Sequence, residues 1–155
     1  MDISKLKSFL FESTSHSYAN ADVAIKNERD GSHSIEYSKG NLRLHDNYFG
    51  GEPFGGREVI FENEKPLWMM VYYGSVEEGI EDFKNVYAFL RKALSHNTSD
   101  MPYRGPVKFE ENEWLYTNEL TGDMENFSGE EKIFHGGELV YSAKYHGGLV
   151  DVRKE

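Results

Sequence analysis

Glu58 and Glu131 are the acids best placed to do chemistry. Each follows a glycine by two residues, Gly56 and Gly129, at the entrance to a strand-like run. If the two lie face to face, their pKa values split, and such a pair can move a proton or hold a divalent cation. Each glutamate equally suits a structural task, accepting backbone amides from its own glycine-rich loop. Tyr48, Phe54, Trp68, Tyr72, Tyr103, Trp114, Tyr116 and Tyr141 combine apolar bodies with polar tips. Such residues suit pocket walls and an aromatic core alike, and Trp68 and Tyr72 have the firmest claim to the core. Arg104, in the turn Tyr103-Arg104-Gly105-Pro106, can grip a carboxylate or phosphate through two parallel hydrogen bonds; its other use is to pair with an acid of the chain itself. The candidate ligand-binding set is therefore Tyr48, Glu58, Trp68, Tyr72, Arg104, Glu131 and Tyr141, with no residue assigned a catalytic role.

No cofactor or metal is expected. The six histidines form neither an HxxxH nor an HExxH pair, and there is no cysteine to ligate zinc or act as a nucleophile. The segment FGGEPFGG (49–56) matches neither GxxxxGK[ST] nor GxGxxG, and no helix follows it at once. An anion there would also meet Glu52 and Glu58. A GxSxG elbow is absent too.

The elements that must position these residues follow from periodicity. Ile3, Leu6 and Leu10 share a helical face behind Asp2 as N-cap, which predicts a helix over about 3–14. Residues 16–33 have no clean period and read as loop or irregular strand. SIEYSKGNLRLHDNYF and REVIFENEKPLWMMVYY each read as two strands, turning at Lys39-Gly40 and Asn63-Glu64, with 49–56 too glycine-rich for regular strand. Ser75-Val76-Glu77-Glu78 fits a capping box, and Ile80, Phe83, Tyr87, Leu90 and Leu94 then recur at helical steps, predicting a helix over about 76–96. VKFEENEWLYTNEL and EEKIFHGGELVYSAKYHG repeat the strand pattern, turning at Glu111-Asn112 and Gly136-Gly137. With Asn63-Glu64 as a two-residue turn, Glu58 falls on the face opposite Trp68.

Residues 54–74 and 127–147 align without a gap at an offset of 73 (127 − 54), with Phe, Gly, Glu, Ile, Phe, Tyr and Gly pairs identical. The helices echo each other as well, in FLFESTSH (9–16) and FLRKALSH (89–96). The expected fold is a single α+β domain over 1–155 made of a duplicated helix–hairpin–hairpin unit, repeat 1 about 3–74 and repeat 2 about 75–148. It has two helices, about eight antiparallel strands and pseudo-twofold symmetry. Pairing between the halves is left open among one curved sheet, two packed sheets and a partly closed barrel. Trp68, Met70 and Tyr72, matched by Tyr141, Ala143 and Tyr145, are assigned to the shared core. The opposite face, Leu67, Met69, Val71 and Tyr73, is expected to be covered in the first half. Its counterpart, Val140, Ser142, Lys144 and His146, is expected to be more open.

Composition narrows the function classes. A formal net charge of −10 works against direct nucleic-acid binding. The N-terminal stretch MDISKLKSFLFEST lacks an apolar signal core, and the longest apolar run, Pro66–Tyr73, is too short for a membrane span, so neither a secreted precursor nor a spanning segment is expected. With zero cysteines the chain fits a reducing, cytoplasmic setting.

SIEYSKGNL (34–42), DNYFGGEPFGGREVIF (46–61), WMMVYYG (68–74), PYRGP (102–106), GDMENFSGEEKI (122–133) and KYHGGLV (144–150) resemble an uncharacterised bacterial domain-of-unknown-function family. Its members occur alone or C-terminal to Cro/C1-type helix-turn-helix modules. The resemblance runs from about Leu6 to Gly148 and brings no activity with it; it implies a sensory or effector-binding role in members joined to DNA-binding modules. In this chain, such a role would need a helix-turn-helix on another chain. The leading expectation is a non-catalytic binding module for a small molecule or a protein partner. The alternatives are a small cofactor-independent enzyme using Glu58 and Glu131 as acid and base, and a purely structural or oligomerising domain.

Overall fold

A computed structural model describes residues 2–153. The first helix, α1 (Ile3–Ser13), is started by the Asp2 carboxylate, which accepts the Lys5 amide at 3.1 Å. It buries Leu6, Phe9, Leu10 and Ser13 at three- and four-residue steps. A 3-10 turn over Thr14–His16 follows, and residues 17–32 are irregular apart from the short strand β1 (Lys26–Asn27).

Four strands come next: β2 (His33–Lys39), β3 (Leu42–Gly50), β4 (Phe54–Glu62) and β5 (Lys65–Val76). The second helix, α2 (Phe83–Leu94), leads to β6 (Lys108–Glu111), β7 (Trp114–Asp123), β8 (Asn126–His135) and β9 (Glu138–Leu149). All nine strands join one antiparallel sheet in the order β1-β2-β3-β4-β5-β9-β8-β7-β6, so the one-sheet option describes the pairing. Two helices and nine strands stand close to the expected two and about eight.

Several expectations are corrected. Ser75 and Val76 do not open a helix, because they pair with Ser142 and Tyr141 of β9 and extend β5. The sheet ladder outcompetes the capping box, and α2 begins only at Phe83 behind Asp82. Glycine does not keep 49–56 out of the sheet: β3 runs to Gly50, β4 starts at Phe54, and only three residues link them. The turns at Gly40-Asn41 and Asn112-Glu113 each lie one residue later than expected. Val71 and Tyr73 are exposed, so the face opposite Trp68 is open in the first half as well.

The hairpin turns Asn63-Glu64 and Gly136-Gly137 both consist of two residues at positive φ, the geometry that matches the twist of the flanking strands. Each hairpin also carries a bulge. Ile60 pairs with Trp68 but Phe61 pairs with Pro66, leaving Leu67 extra; Ile133 pairs with Tyr141 but Phe134 pairs with Leu139, leaving Val140 extra. One added residue turns over every side chain beyond it. Glu58 therefore lies on the same face as Trp68, not the opposite one.

The helices cover that face. Trp68, Met70, Tyr72, Tyr141, Ala143 and Tyr145 are all buried there. One core cluster joins α1 to Leu42, Leu44, Ile60, Trp68 and Met70; the other joins α2 to Tyr116, Ile133 and Tyr141, and Phe54 packs against both. Each fully buried large apolar side chain in these clusters contributes roughly 1.5–3 kcal/mol of transfer free energy.

Candidate functional site

Three strands place the polar groups in rows. The register sets Asp46 of β3 beside Glu58 of β4 and Glu58 beside Met70 of β5; the next row is Tyr48, Gly56 and Tyr72. Gly56 is what lets that row cross the sheet. A Cβ on it would stand 2.6 Å from the Tyr48 Cβ and 2.7 Å from the Tyr72 hydroxyl. With no side chain in the way, Tyr72 reaches over β4 and donates to Asp46 Oδ1 at 2.5 Å.

A cavity of about 640 Å³ opens beside these rows, within the usual range for small-molecule sites. Leu10 and Ser13 of α1, with Thr14 of the 3-10 turn, form one wall, and Phe83, Tyr87 and Leu94 of α2 another. Tyr18 and Ala19 come from the irregular segment, Gly50 and Gly51 from the β3–β4 link, and Pro102, Tyr103 and Arg104 from the loop before β6. Asp46, Tyr48, Phe54, Glu58 and Tyr72 complete the sheet side.

The two acids are held far from ordinary behaviour. Burial pushes Asp46 up to about 6, against the opposing pull of the Tyr72 hydrogen bond and of Arg104. Burial, reinforced by the Asp46 charge, pushes Glu58 up to about 8 although Arg104 opposes it. Two neighbouring acids with separated pKa values titrate as a unit, with one proton largely retained at neutral pH. Glu58 makes no hydrogen bond among the described residues; it is half-buried, and its carboxyl is open to the cavity.

Arg104 is committed elsewhere. Its Nε and Nη2 donate to Glu131 Oε1 at 3.2 and 2.6 Å, and its guanidinium lies over the Tyr72 ring at 5.3 Å from the centroid. Glu131 is fully buried and also accepts the Tyr141 hydroxyl at 2.9 Å and the Tyr116 hydroxyl at 2.6 Å. Burial and the Glu131 charge drive both phenols well above their usual range. The loop carrying Arg104 is pinned in turn: the Gly105 amide donates to the Tyr116 hydroxyl at 3.1 Å, and Asn118 Nδ2 donates to the Gly105 carbonyl at 3.0 Å.

The structure thus brings Tyr48, Glu58, Tyr72 and Arg104 to one cavity. Trp68, Glu131 and Tyr141 are not among its lining residues. Trp68 stacks on Phe127 at 5.5 Å and donates its indole N–H to the Met124 carbonyl at 3.1 Å. Glu131 and Tyr141 sit in the Arg104 network behind the wall. Glu58 is paired across the ladder with Asp46 rather than with Glu131. Sequence reasoning missed Asp46, Tyr18 and Tyr87. Asp46 had a signal: Leu42, Leu44, Asp46 and Tyr48 alternate, which puts an acid on an otherwise apolar face. Tyr18 had none, because its segment has no period to read.

Residues 46–150 match the family model described as a domain of unknown function, DUF5680. The chain belongs to the DUF5680 family. The matched DUF5680 span begins at Asp46 and takes in Glu58, Tyr72, Arg104 and Glu131, while α1 and Tyr18, which close the cavity from the N-terminal side, precede it. No curated protein and no solved structure matches the chain significantly. No helix among the described residues is long and apolar enough to cross a membrane.

Proposed function

We propose that this DUF5680 chain is a non-catalytic, sensor-like module that binds a small molecule in the cavity between its sheet and its helices. The observation that carries this reading is Glu58, a half-buried carboxyl without a hydrogen-bond partner among the described residues, facing about 640 Å³ of aromatic-walled space. Glu58 is half-buried and its carboxyl is open to the cavity, so within the cavity only solvent or a ligand can pair with it; a hydrogen bond to a charged group contributes roughly 1.5–3 kcal/mol. In this reading Tyr48, Glu58 and Tyr72 contact the ligand, Arg104 sets the field around it, and Trp68, Glu131 and Tyr141 hold the wall from behind. The absence of cysteine and the net charge of −10 support a cytoplasmic setting without direct nucleic-acid contact. In bacterial relatives joined to Cro/C1-type modules, the same pocket would serve as the effector site.

We further propose that the two halves descend from one copied unit and retain a pseudo-twofold axis between β5 and β9. Tyr72 and Tyr145, equivalent in the aligned repeats, are direct partners across that pair. Tyr145 crosses Gly129 to donate to Asn118 Oδ1 at 2.6 Å, as Tyr72 crosses Gly56 to reach Asp46. His16 stacks on Tyr37 at 4.1 Å and His96 on Phe109 at 4.3 Å, each just beyond its helix.

A second reading is an enzyme. Asp46 and Glu58, with pKa values near 6 and 8, have the spread that suits a base and an acid. Glu131 is too fully engaged to share that role.

A thermal-shift screen against small metabolites tests the binding reading. A ligand at a hundred times its Kd adds about 2.7 kcal/mol, or roughly 5–10 °C in a domain of this size. Gly51 lines the cavity, and a Cβ on it meets nothing within 4 Å, so Gly51→Trp should fold normally and abolish the shift. A shift that persists in Gly51→Trp, or no shift with any compound, overturns the reading.

A further inference from the structure

We infer that the cavity is built for an organic cation: an amine on an apolar or aromatic body, with its ammonium group seated between Asp46 and Glu58. This rests on the small-molecule reading above and names the class of ligand.

Charge count is the first argument. Three carboxyls, Asp46, Glu58 and Glu131, meet one buried guanidinium. Arg104 spends Nε and Nη2 on Glu131, and Glu131 collects two phenols besides. Asp46 receives one phenol, from Tyr72, and Glu58 receives nothing. Arg104 lines the cavity too and draws both acids down, but its hydrogen bonds go to Glu131, so Asp46 and Glu58 share a single guanidinium already paired with a third carboxylate. An anionic ligand would meet two acids there, and a neutral one would leave Glu58 to hold its own proton.

The walls are the second argument. Tyr18, Tyr48, Phe54, Tyr72, Tyr87 and Tyr103 all line the space; Tyr18 and Tyr72 already carry the guanidinium groups of Arg91 and Arg104 over one face, which leaves Tyr48, Phe54, Tyr87 and Tyr103 as the rings with no guanidinium stacked on them. Aromatic faces around a desolvated cation each add roughly 0.5–2 kcal/mol of attraction. Phe54 stands at the centre of this set, 6.0 Å from Tyr72 and 5.9 Å from Tyr87, ring to ring.

Proton balance gives a signature. The groups that face Glu58 are Asp46 from β3, Tyr72 from β5 and Arg104 from the loop before β6. Around the rest of the cavity, α1 presents only Leu10 and Ser13, the 3-10 turn presents Thr14, α2 presents the Tyr87 phenol, the irregular segment presents Tyr18, and β2 presents His33, whose Nδ1 is engaged by Asn27 Oδ1 at 2.8 Å. The proton on Glu58 stands in for the missing cation. An entering ammonium keeps its own protons, and the Glu58 carboxyl releases one to solvent. Affinity should then rise about tenfold per pH unit between about pH 6 and pH 8 and level off above.

The test uses tyramine, tryptamine and cyclohexylmethylamine, each beside its alcohol and carboxylate counterparts, by titration calorimetry in two buffers of different ionisation heat. The expected result is amine binding at least tenfold tighter than either counterpart, with close to one proton released at about pH 7. Glu58→Gln should cost the amine at least tenfold and abolish the proton release, and Gly51→Trp should block binding. If alcohols or carboxylates bind the parent as well as the amines do, and Gly51→Trp blocks them, the cavity binds ligands but the cation inference is wrong. If no amine binds, the inference falls; if no compound of any class binds, the small-molecule reading falls with it.

Discussion

Replacing Glu58 by glutamine should make the protein more stable, and increasingly so as pH rises. In the fold the carboxyl is pushed from 4.5 to about 8 by burial and by Asp46, so the folded chain holds the proton more tightly than the unfolded chain does. Stability from this group is complete below the unfolded pKa. It drains away as pH climbs toward the folded one, because over that window the folded state binds more protons than the unfolded state. Each pH unit in the window removes about 1.4 kcal/mol, so the step from about pH 5.5 to pH 8 removes roughly 3 kcal/mol from the parent. Glutamine keeps the size and polarity of the protonated acid and cannot ionise, so the variant escapes this loss. Asp46 is shifted upward too, but its loss is common to both proteins, and the quantity that matters is the gap between them. Urea denaturation of parent and Glu58→Gln at about pH 5.5 and about pH 8.5 should show that gap widening by roughly 3 kcal/mol in favour of the variant, equivalent to about 6–12 °C in Tm. A gap that stays constant within about 1 kcal/mol would mean that Glu58 ionises as freely folded as unfolded, and the picture of a desolvated, unpartnered carboxyl would be wrong.

Tyr72→Phe removes the hydrogen bond that lowers the Asp46 pKa; a carboxyl NMR titration should find that Asp46 titrates above its present value of about 6, and an unchanged or lower value would refute the assigned role of the phenol. Glu131→Gln leaves the Arg104 guanidinium buried against a neutral amide and should cost about 3–5 kcal/mol in urea denaturation. Adding Arg104→Met should recover part of that loss, because the pair acts as a unit, and a double variant that simply adds the two single losses would argue against the network.

The legible part of the fold was whatever local periodicity controls. The helix over Ile3–Ser13, the buried alternation of Trp68, Met70 and Tyr72, and the two-residue turns at Asn63-Glu64 and Gly136-Gly137 all follow from short-range patterns. Competition between local and distant partners was not legible. Ser75 and Val76 had a good local signal for a helix, but β9 offered them a ladder, and the strand formed. The bulges at Leu67 and Val140 have no marker in the sequence, yet they decide which face Glu58 and Glu131 occupy. The site was half legible for a related reason. Glu58 and Arg104 stood out as charged groups beside glycine-rich turns, whereas the bond from Arg104 to Glu131 joins residues 27 apart in sequence, beyond the reach of any periodic pattern.

What separates the two matching glutamates is the row of side chains next to them. Beside Glu131 the register aligns Tyr116, Ile133 and Tyr141, and both phenols turn their hydroxyls onto its carboxylate. Beside Glu58 the corresponding row is Leu44, Ile60 and Trp68. Leucine has no donor to give, and the Trp68 N–H is spent on the Met124 carbonyl. The two phenols, with the two bonds from Arg104, tie Glu131 into the frame, whereas no side chain donates to Glu58. Glu131 has four donors and no route to solvent, so its removal is a question of stability. Glu58 has none and faces a cavity, so its unmet hydrogen bonding can be answered only from outside the chain. If Glu58→Gln proves the more stable protein above neutral pH, the measured difference is the stability that this carboxyl costs the fold when no partner meets it.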